Sequence, residues 1–164
     1  MQLHILRHAE AEDSAPTGLD ADRRLTEAGR KRMRIVAAAI ARGLEPRYDA
    51  ILISPLVRAR ETATPVAEAC GFSRALRVTD ALQPHASPDA LLGEVAGLDA
   101  ETVLAVGHEP HMGRLFGRLL TGGSRLELSM KKASLAVFET DSDAESGAWE
   151  LKVYAPARLL ERLG

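Results

Sequence analysis

Leu3-His4-Ile5-Leu6-Arg7-His8 is a short apolar run that stops at a cation and an imidazole. A run of this length suits a buried strand. Two more segments repeat the pattern: Ala50-Ile51-Leu52-Ile53 stops at Ser54-Pro55, and Thr102-Val103-Leu104-Ala105-Val106 stops at Gly107-His108-Glu109-Pro110. Helical patterns separate the three. Thr26 can cap a helix beginning at Glu27, and Met33, Val36, Ala37 and Ile40 form its apolar stripe before Gly43 stops it. Ser54-Pro55 reads as a hydroxyl cap followed by a first-turn proline, opening a helix through Arg58, Thr62 and Val66 to about Cys70. Pro88-Asp89 opens another helix, to about residue 97, and Glu109 a further one, to about Leu120.

The remaining segments are shorter. Residues 10–24, with Pro16, Gly18 and three aspartates, read as a loop. Residues 76–79 suit a short strand. Residues 133–139 and 149–154 suit strands joined by the acidic turn 141–147, and 156–163 suit a short amphipathic helix. Strands alternating with helices predict an α/β three-layer sandwich, a mainly parallel central sheet with helices on both faces. In such sheets ligands bind beyond the carboxyl ends of the strands. That edge would gather Arg7, His8, Ser54, Arg58 and His108.

The whole-chain properties are compatible with this. A length of 164 residues suits one domain spanning 1–164. The composition, 46% hydrophobic and 27% charged, is that of a globular protein. Formal charge is −2, from 21 basic and 23 acidic residues, which points away from nucleic-acid and membrane partners. No apolar stretch approaches the ~20 residues of a membrane span, and residues 1–7 lack the features of a signal peptide. A cytoplasmic location is the default expectation. Cys70 is the sole cysteine, expected as a buried structural thiol, and no internal disulfide can form.

Arg7, His8, Arg58 and His108, together with helix starts near Ser54 and Glu109, would favour an anion. Guanidinium donors match phosphate oxygens, so a phosphoryl group is the natural ligand. A neutral imidazole can accept that group and divide hydrolysis into two easier steps. Like-charge repulsion from Arg7 and Arg58 should keep His8 unprotonated. The same cations would stabilise the phosphoryl charge during transfer. His108 and His111 form an H-x-x-H pair, but Pro110 between them and the missing third ligand argue against a metal. His111 is expected at the pocket rim, and His4 packed or bonded inside its strand. Arg23 and Arg24 read as loop charges, and Arg30, Lys31, Arg32 and Arg34 as the solvated face of the first helix. One of Arg23, Arg24, Lys131 and Lys132 could reach an acidic substrate surface.

Leu6-Arg7-His8-Ala9 resembles the Arg-His-Gly/Ala signature of the histidine phosphatase superfamily, which includes the phosphoglycerate mutases. The stretch from Ser54 to Ala63, Ser-Pro-Leu-Val-Arg-Ala-Arg-Glu-Thr-Ala, resembles the family's Ser-x-x-x-Arg-Ala-x-x-Thr-Ala segment. Leu25-Thr26-Glu27-Ala28-Gly29 is similar to its Leu-Thr-x-x-Gly segment, and Val106-Gly107-His108-Glu109-Pro110 to its second histidine motif. Order and spacing agree from residue 2 to about 120. The resemblance is closest to the short SixA-type phosphohistidine phosphatases, which share the chain length and a tail like Met130-Lys131-Lys132-Ala133-Ser134. It implies a phosphoglycerate mutase-like fold and no metal or organic cofactor. It also implies His8 as the phosphorylated nucleophile, with Arg7, Arg58 and His108 around the phosphoryl group. Ser54, Arg23 and His85 are further candidates for phosphate or substrate contact.

One departure bears on the substrate. Larger members carry an acidic proton donor and pocket-capping insertions, where this chain has Leu82-Gln83-Pro84-His85-Ala86-Ser87-Pro88-Asp89. An alkoxide leaving group needs a proton donor. Imidazole, with a pKa of about 6.5, needs far less help. The expected partner is therefore a phosphohistidine-bearing protein, with His85 or Asp89 as the residual candidate donors. The rivals are a phosphomonoesterase for a small phosphate ester and a non-catalytic phosphate-binding module. Mutase chemistry fits least, because short loops exclude little water.

Overall fold

The computed structural model describes residues 1–123, 126, 128–141, 144 and 147–163. Strands β1 (Gln2–Arg7), β2 (Ala50–Ile53), β3 (Arg77–Val78), β4 (Thr102–Gly107), β5 (Leu135–Glu139) and β6 (Glu150–Ala155) form one sheet in the order β3-β2-β4-β1-β5-β6. The four strands from β3 to β1 are parallel, β5 is antiparallel to β1, and β6 is antiparallel to β5. The helices are α1 (Glu27–Leu44), α2 (Val57–Ala69), α3 (Pro88–Ala96), α4 (His111–Thr121) and α5 (Ala157–Leu163).

The strands read as continuous apolar runs because both faces of the sheet are covered. Leu6, Ile51, Ile53, Leu104, Val106 and Leu135 point to the layer of α1, α2 and α5. Leu3, Ile5, Leu52, Val103, Ala105 and Phe138 point to the layer of α3 and α4. This is the expected three-layer α/β sandwich with a mainly parallel sheet. Among the described residues no helix is long and apolar enough to cross a membrane.

Several boundaries differ from the sequence expectation. Ser54 does not open α2. Its N–H still donates to the Val106 carbonyl at 3.1 Å, so the sheet ladder holds it and the helix starts only at Val57, after Leu56. α4 likewise begins at His111 and not at Glu109, with a cis peptide between Glu109 and Pro110. Glu109 stays outside the helix, its carboxylate accepting the Met130 N–H at 2.9 Å. β5 begins two residues later than expected, because Ala133 takes a left-handed φ of 57° and turns its N–H to the carbonyls of Arg7 and His8. Cys70 is half-buried at the end of α2, less enclosed than expected, and burial raises its thiol pKa. Within the turn expected at 141–147, residues 142, 143, 145 and 146 lie outside the described residues.

His4 bonds inside the fold, its Nδ1 lying 2.9 Å from the Tyr48 hydroxyl. The loop after β1 is seated on the start of α1. The Thr26 N–H donates to the Glu10 carbonyl at 3.0 Å, and the Thr26 hydroxyl caps α1 by accepting from the Gly29 N–H at 3.0 Å. Gly29 leaves no space for a side chain, since a Cβ there would lie 2.2 Å from the Glu10 oxygen. Gly29→Ala should therefore force α1 off the loop and destabilise the protein by about 1–3 kcal/mol. Urea denaturation would measure this, and an unchanged midpoint would refute the close contact.

Candidate active site

β1 and β4 run side by side, with Arg7 opposite Gly107, and the His8 N–H extends the ladder to the Gly107 carbonyl at 3.0 Å. His8 and His108 therefore leave the sheet together, their ring centroids 4.8 Å apart. β2 flanks β4 on the other side and places buried Ser54 at the same edge. Arg58, in the first turn of α2, is only 5% exposed.

The His8 Nδ1 lies 2.7 Å from the Ala9 carbonyl oxygen. A carbonyl can only accept, so Nδ1 carries the proton, and in the neutral ring Nε2 is bare. Ala9 is held in turn by its N–H, which donates to the Thr62 hydroxyl oxygen at 3.1 Å. The same hydroxyl donates to the Arg58 carbonyl at 2.7 Å.

The arginines are anchored through their Nη atoms. Arg58 donates from Nη1 to the Asp20 carbonyl at 2.7 Å and from Nη2 to the Asp20 carboxylate at 2.9 Å. Arg7 donates from Nη1 to the Met130 carbonyl at 2.5 Å. The Nε of each arginine and both ring nitrogens of His108 are buried with no partner among the described residues. Buried polar groups rarely remain unpaired. Both arginines act on the His8 charge and the His108 ring lies beside it, so the two Nε–H groups and the one N–H of neutral His108 suit an oxyanion.

Burial pulls the His8 pKa down to about 4, helped by Arg58, Arg7 and Lys132 and opposed by the Ala9 carbonyl. Desolvation thus outweighs the like-charge repulsion expected from sequence. His108 falls to about 3, through burial and then His8 and Arg58, with Asp20 opposing. Burial also lowers Arg7, with Glu109 the main opposing charge. Both imidazoles are neutral at pH 7.

The family model of the histidine phosphatase superfamily (branch 1) matches residues 3–86. An uncharacterized protein of Picosynechococcus sp. is 36% identical over 139 residues, 82% of each chain. The chain belongs to the histidine phosphatase superfamily. Phosphatase chemistry comes with that membership. Among solved structures, the protein histidine phosphatase SixA complexed with tungstate matches with a TM-score of 0.85 at 24% identity, over 96% of this chain and 98% of that one. A protein of Nakamurella multipartitia designated phosphohistidine phosphatase SixA matches with a TM-score of 0.73 at 30% identity, over 93% and 94%. The fold is the phosphoglycerate mutase-like α/β fold of these neighbours.

In this histidine phosphatase the other sequence candidates are placed unevenly. Arg23 is fastened within its loop, donating to the Glu12 carbonyl at 2.6 Å and to the Asp20 carboxylate at 2.7 Å. The same Asp20 carboxylate binds Arg58. His85 is exposed in the loop before α3, and no bond joins it to His8. Asp89 pairs with Arg118 at 2.8 Å, which removes it as a ready proton donor. His111 is not a rim residue. It is fully buried because α4 starts at its position and turns that face inward, and burial lowers its pKa to about 4. Among the described residues no cluster of His, Cys, Asp or Glu is arranged to hold a metal ion.

Four positions carry geometry that the sequence reading did not single out: Asp20, Thr62, Glu109 and Met130. Thr62 could have been found, since it is the threonine of the quoted Arg-Ala-x-x-Thr-Ala segment.

The tautomer of His8 is directly observable. In a ¹H–¹⁵N imidazole titration, His8 should be neutral with Nδ1 protonated at pH 7, and should gain a second proton only near pH 4. Orthophosphate should raise that pH, because an adjacent anion favours the imidazolium. An Nε2-protonated ring, or titration at the ordinary value of 6.5, would overturn the arrangement.

Proposed function

We propose that the chain, acting as a single domain, dephosphorylates phosphohistidine on a protein through a covalent intermediate on His8. The observation that carries this reading is the His8 Nδ1 proton held by the Ala9 carbonyl, which leaves Nε2 bare among unpaired donors. In the first step Nε2 attacks phosphorus and the bond from phosphorus to the substrate imidazole breaks; that ring, protonated on its other nitrogen, takes the electron pair and leaves as neutral imidazole. In the second step water attacks phosphorus and the His8–phosphorus bond breaks. Inorganic phosphate is released and neutral His8 returns. The Nε groups of Arg7 and Arg58 and a His108 N–H supply donors to the equatorial oxygens, where charge must be stabilised. No metal or organic cofactor enters either step.

A protein substrate is favoured over a small ester on chemical grounds. Imidazole leaves without a strong acid. Asp89 is engaged by Arg118, and no carboxylate hydrogen-bonds His8 or His108 among the described residues. The structural neighbours span both classes. They include the SixA proteins, and also proteins designated as α-ribazole-5'-P phosphatase and glucosyl-3-phosphoglycerate phosphatase. A cytoplasmic location fits a phosphorylated signalling protein as substrate.

Rapid quenching tests the reading. Mixed with a phosphorylated histidine-phosphotransfer domain, the enzyme should carry an acid-labile, base-stable phosphoryl group on His8, lost in His8→Ala. Arg58→Ala should slow its formation by about a hundred- to a thousandfold, as for loss of a transition-state donor. A phosphorylated domain left unconsumed while an aryl phosphate turns over would move the substrate to small esters. No phosphoenzyme and no turnover on either would leave a phosphate-binding module.

A further inference from the structure

A cleft of roughly 650 Å³ opens beside the site and is lined by Arg7, Arg32, Lys131, Lys132, Pro156, Ala157 and Arg158. Three elements meet there: α1 supplies Arg32, the segment before β5 supplies the lysines, and the start of α5 supplies Arg158. Arg7 belongs to both places, since it lines the cleft and flanks His8. Lys132 is also close enough to His8 to act on its charge.

The cations of this cleft are largely uncompensated. Arg32 pairs with Glu161 at 2.6 Å. Lys131, Lys132 and Arg158 have no carboxylate partner among the described residues. The chain as a whole carries −2, so the surface outside these five cations is net negative. A concentrated positive trough on a protein of net negative charge steers a partner of opposite charge and fixes its orientation.

The shape and chemistry of the trough choose the kind of partner. A small-anion site would present buried, fixed donors in a largely apolar pocket. Here Lys131 and Lys132 are exposed point charges on flexible stems, and the Arg158 guanidinium beside them is exposed as well. A compact patch of carboxylates on a folded protein complements cations gathered in one cleft of this size.

We propose that this cleft docks an acidic face of the phosphorylated partner protein, seating its phosphoryl group over His8 through the shared Arg7. The proposal rests on the reading of a protein substrate. It adds a second contact region, outside the phosphoryl pocket, that sets which partners are accepted.

The test uses the double variant Lys131→Glu/Arg158→Glu, which leaves Arg7, Arg58, His8, His108 and Lys132 in place. Two substrates are compared, a phosphorylated histidine-phosphotransfer domain with an acidic surface and p-nitrophenyl phosphate. The variant should raise KM for the domain about tenfold or more at low salt, with kcat little changed. Turnover of p-nitrophenyl phosphate should stay at the wild-type rate. The difference should shrink as salt rises, because exposed charges are screened. Wild-type and variant enzymes with equal KM for the domain overturn the cleft proposal alone. A loss of equal size on both substrates overturns it too, by placing the cations in the phosphoryl pocket. Weakened inhibition by inorganic pyrophosphate, with the domain unaffected, would replace the docking face by a small-anion subsite. Wild-type enzyme that consumes p-nitrophenyl phosphate and neither binds nor dephosphorylates the domain overturns the protein-substrate reading and the docking face together.

Discussion

The two backbone groups of Ala9 hold the site together. The carbonyl receives the His8 Nδ1 proton, and the N–H donates to Thr62, whose hydroxyl donates to the Arg58 carbonyl. One residue therefore fixes the tautomer of the imidazole and its position relative to the helix that carries the buried arginine. These groups are buried, so breaking either bond would strand a polar atom, at a cost of about 1–3 kcal/mol. The loop continuing from Ala9 is locked against α1 at Glu10, which places the strand end, the helix start and α1 in one rigid frame.

That frame makes the electrostatics possible. His8 and His108 are held in a desolvated pocket with two arginines, and desolvation is the largest influence on both rings. In water, imidazole next to guanidinium would still protonate near its ordinary pKa. Here the ring stays neutral across the physiological range. Asp20 offsets Arg58 from the solvent side, binding its Nη atoms while Nε faces inward without a partner.

The sequence disclosed the parts of this arrangement that follow from periodicity and position. Three apolar runs ending in Arg7-His8, Ser54 and His108 are enough to place those residues on one edge of a parallel sheet, and the structure brings them there. The layer order followed from strand-helix alternation in the same way. What could not be read was set by contacts between distant segments. Asp20 meets Arg58 across 38 residues, and Glu109 meets Met130 across 21. Neither pairing leaves a periodic signal. Helix starts were misplaced at Ser54 and Glu109 for a related reason. A serine-proline pair signals a cap locally, but the sheet ladder had already claimed the Ser54 N–H. The two-residue displacement at α4 also turned His111 from the rim to the interior.

The place of β1 in the sheet has a consequence for how the pocket comes into being. This strand carries His8 yet lies between β4 and β5, whose residues follow it by about a hundred and about 130 positions. Arg7 takes its anchor from Met130, and its own N–H bonds to the Ser134 carbonyl. A growing chain therefore displays His8 at the end of an unpaired strand until most of the protein has been made. Pairings of such long sequence separation form slowly, because a large loop must close before any contact rewards it. Catalytic competence is thus among the last properties the molecule acquires, and a nascent fragment that holds every residue through His108 still lacks the wall that orients Arg7.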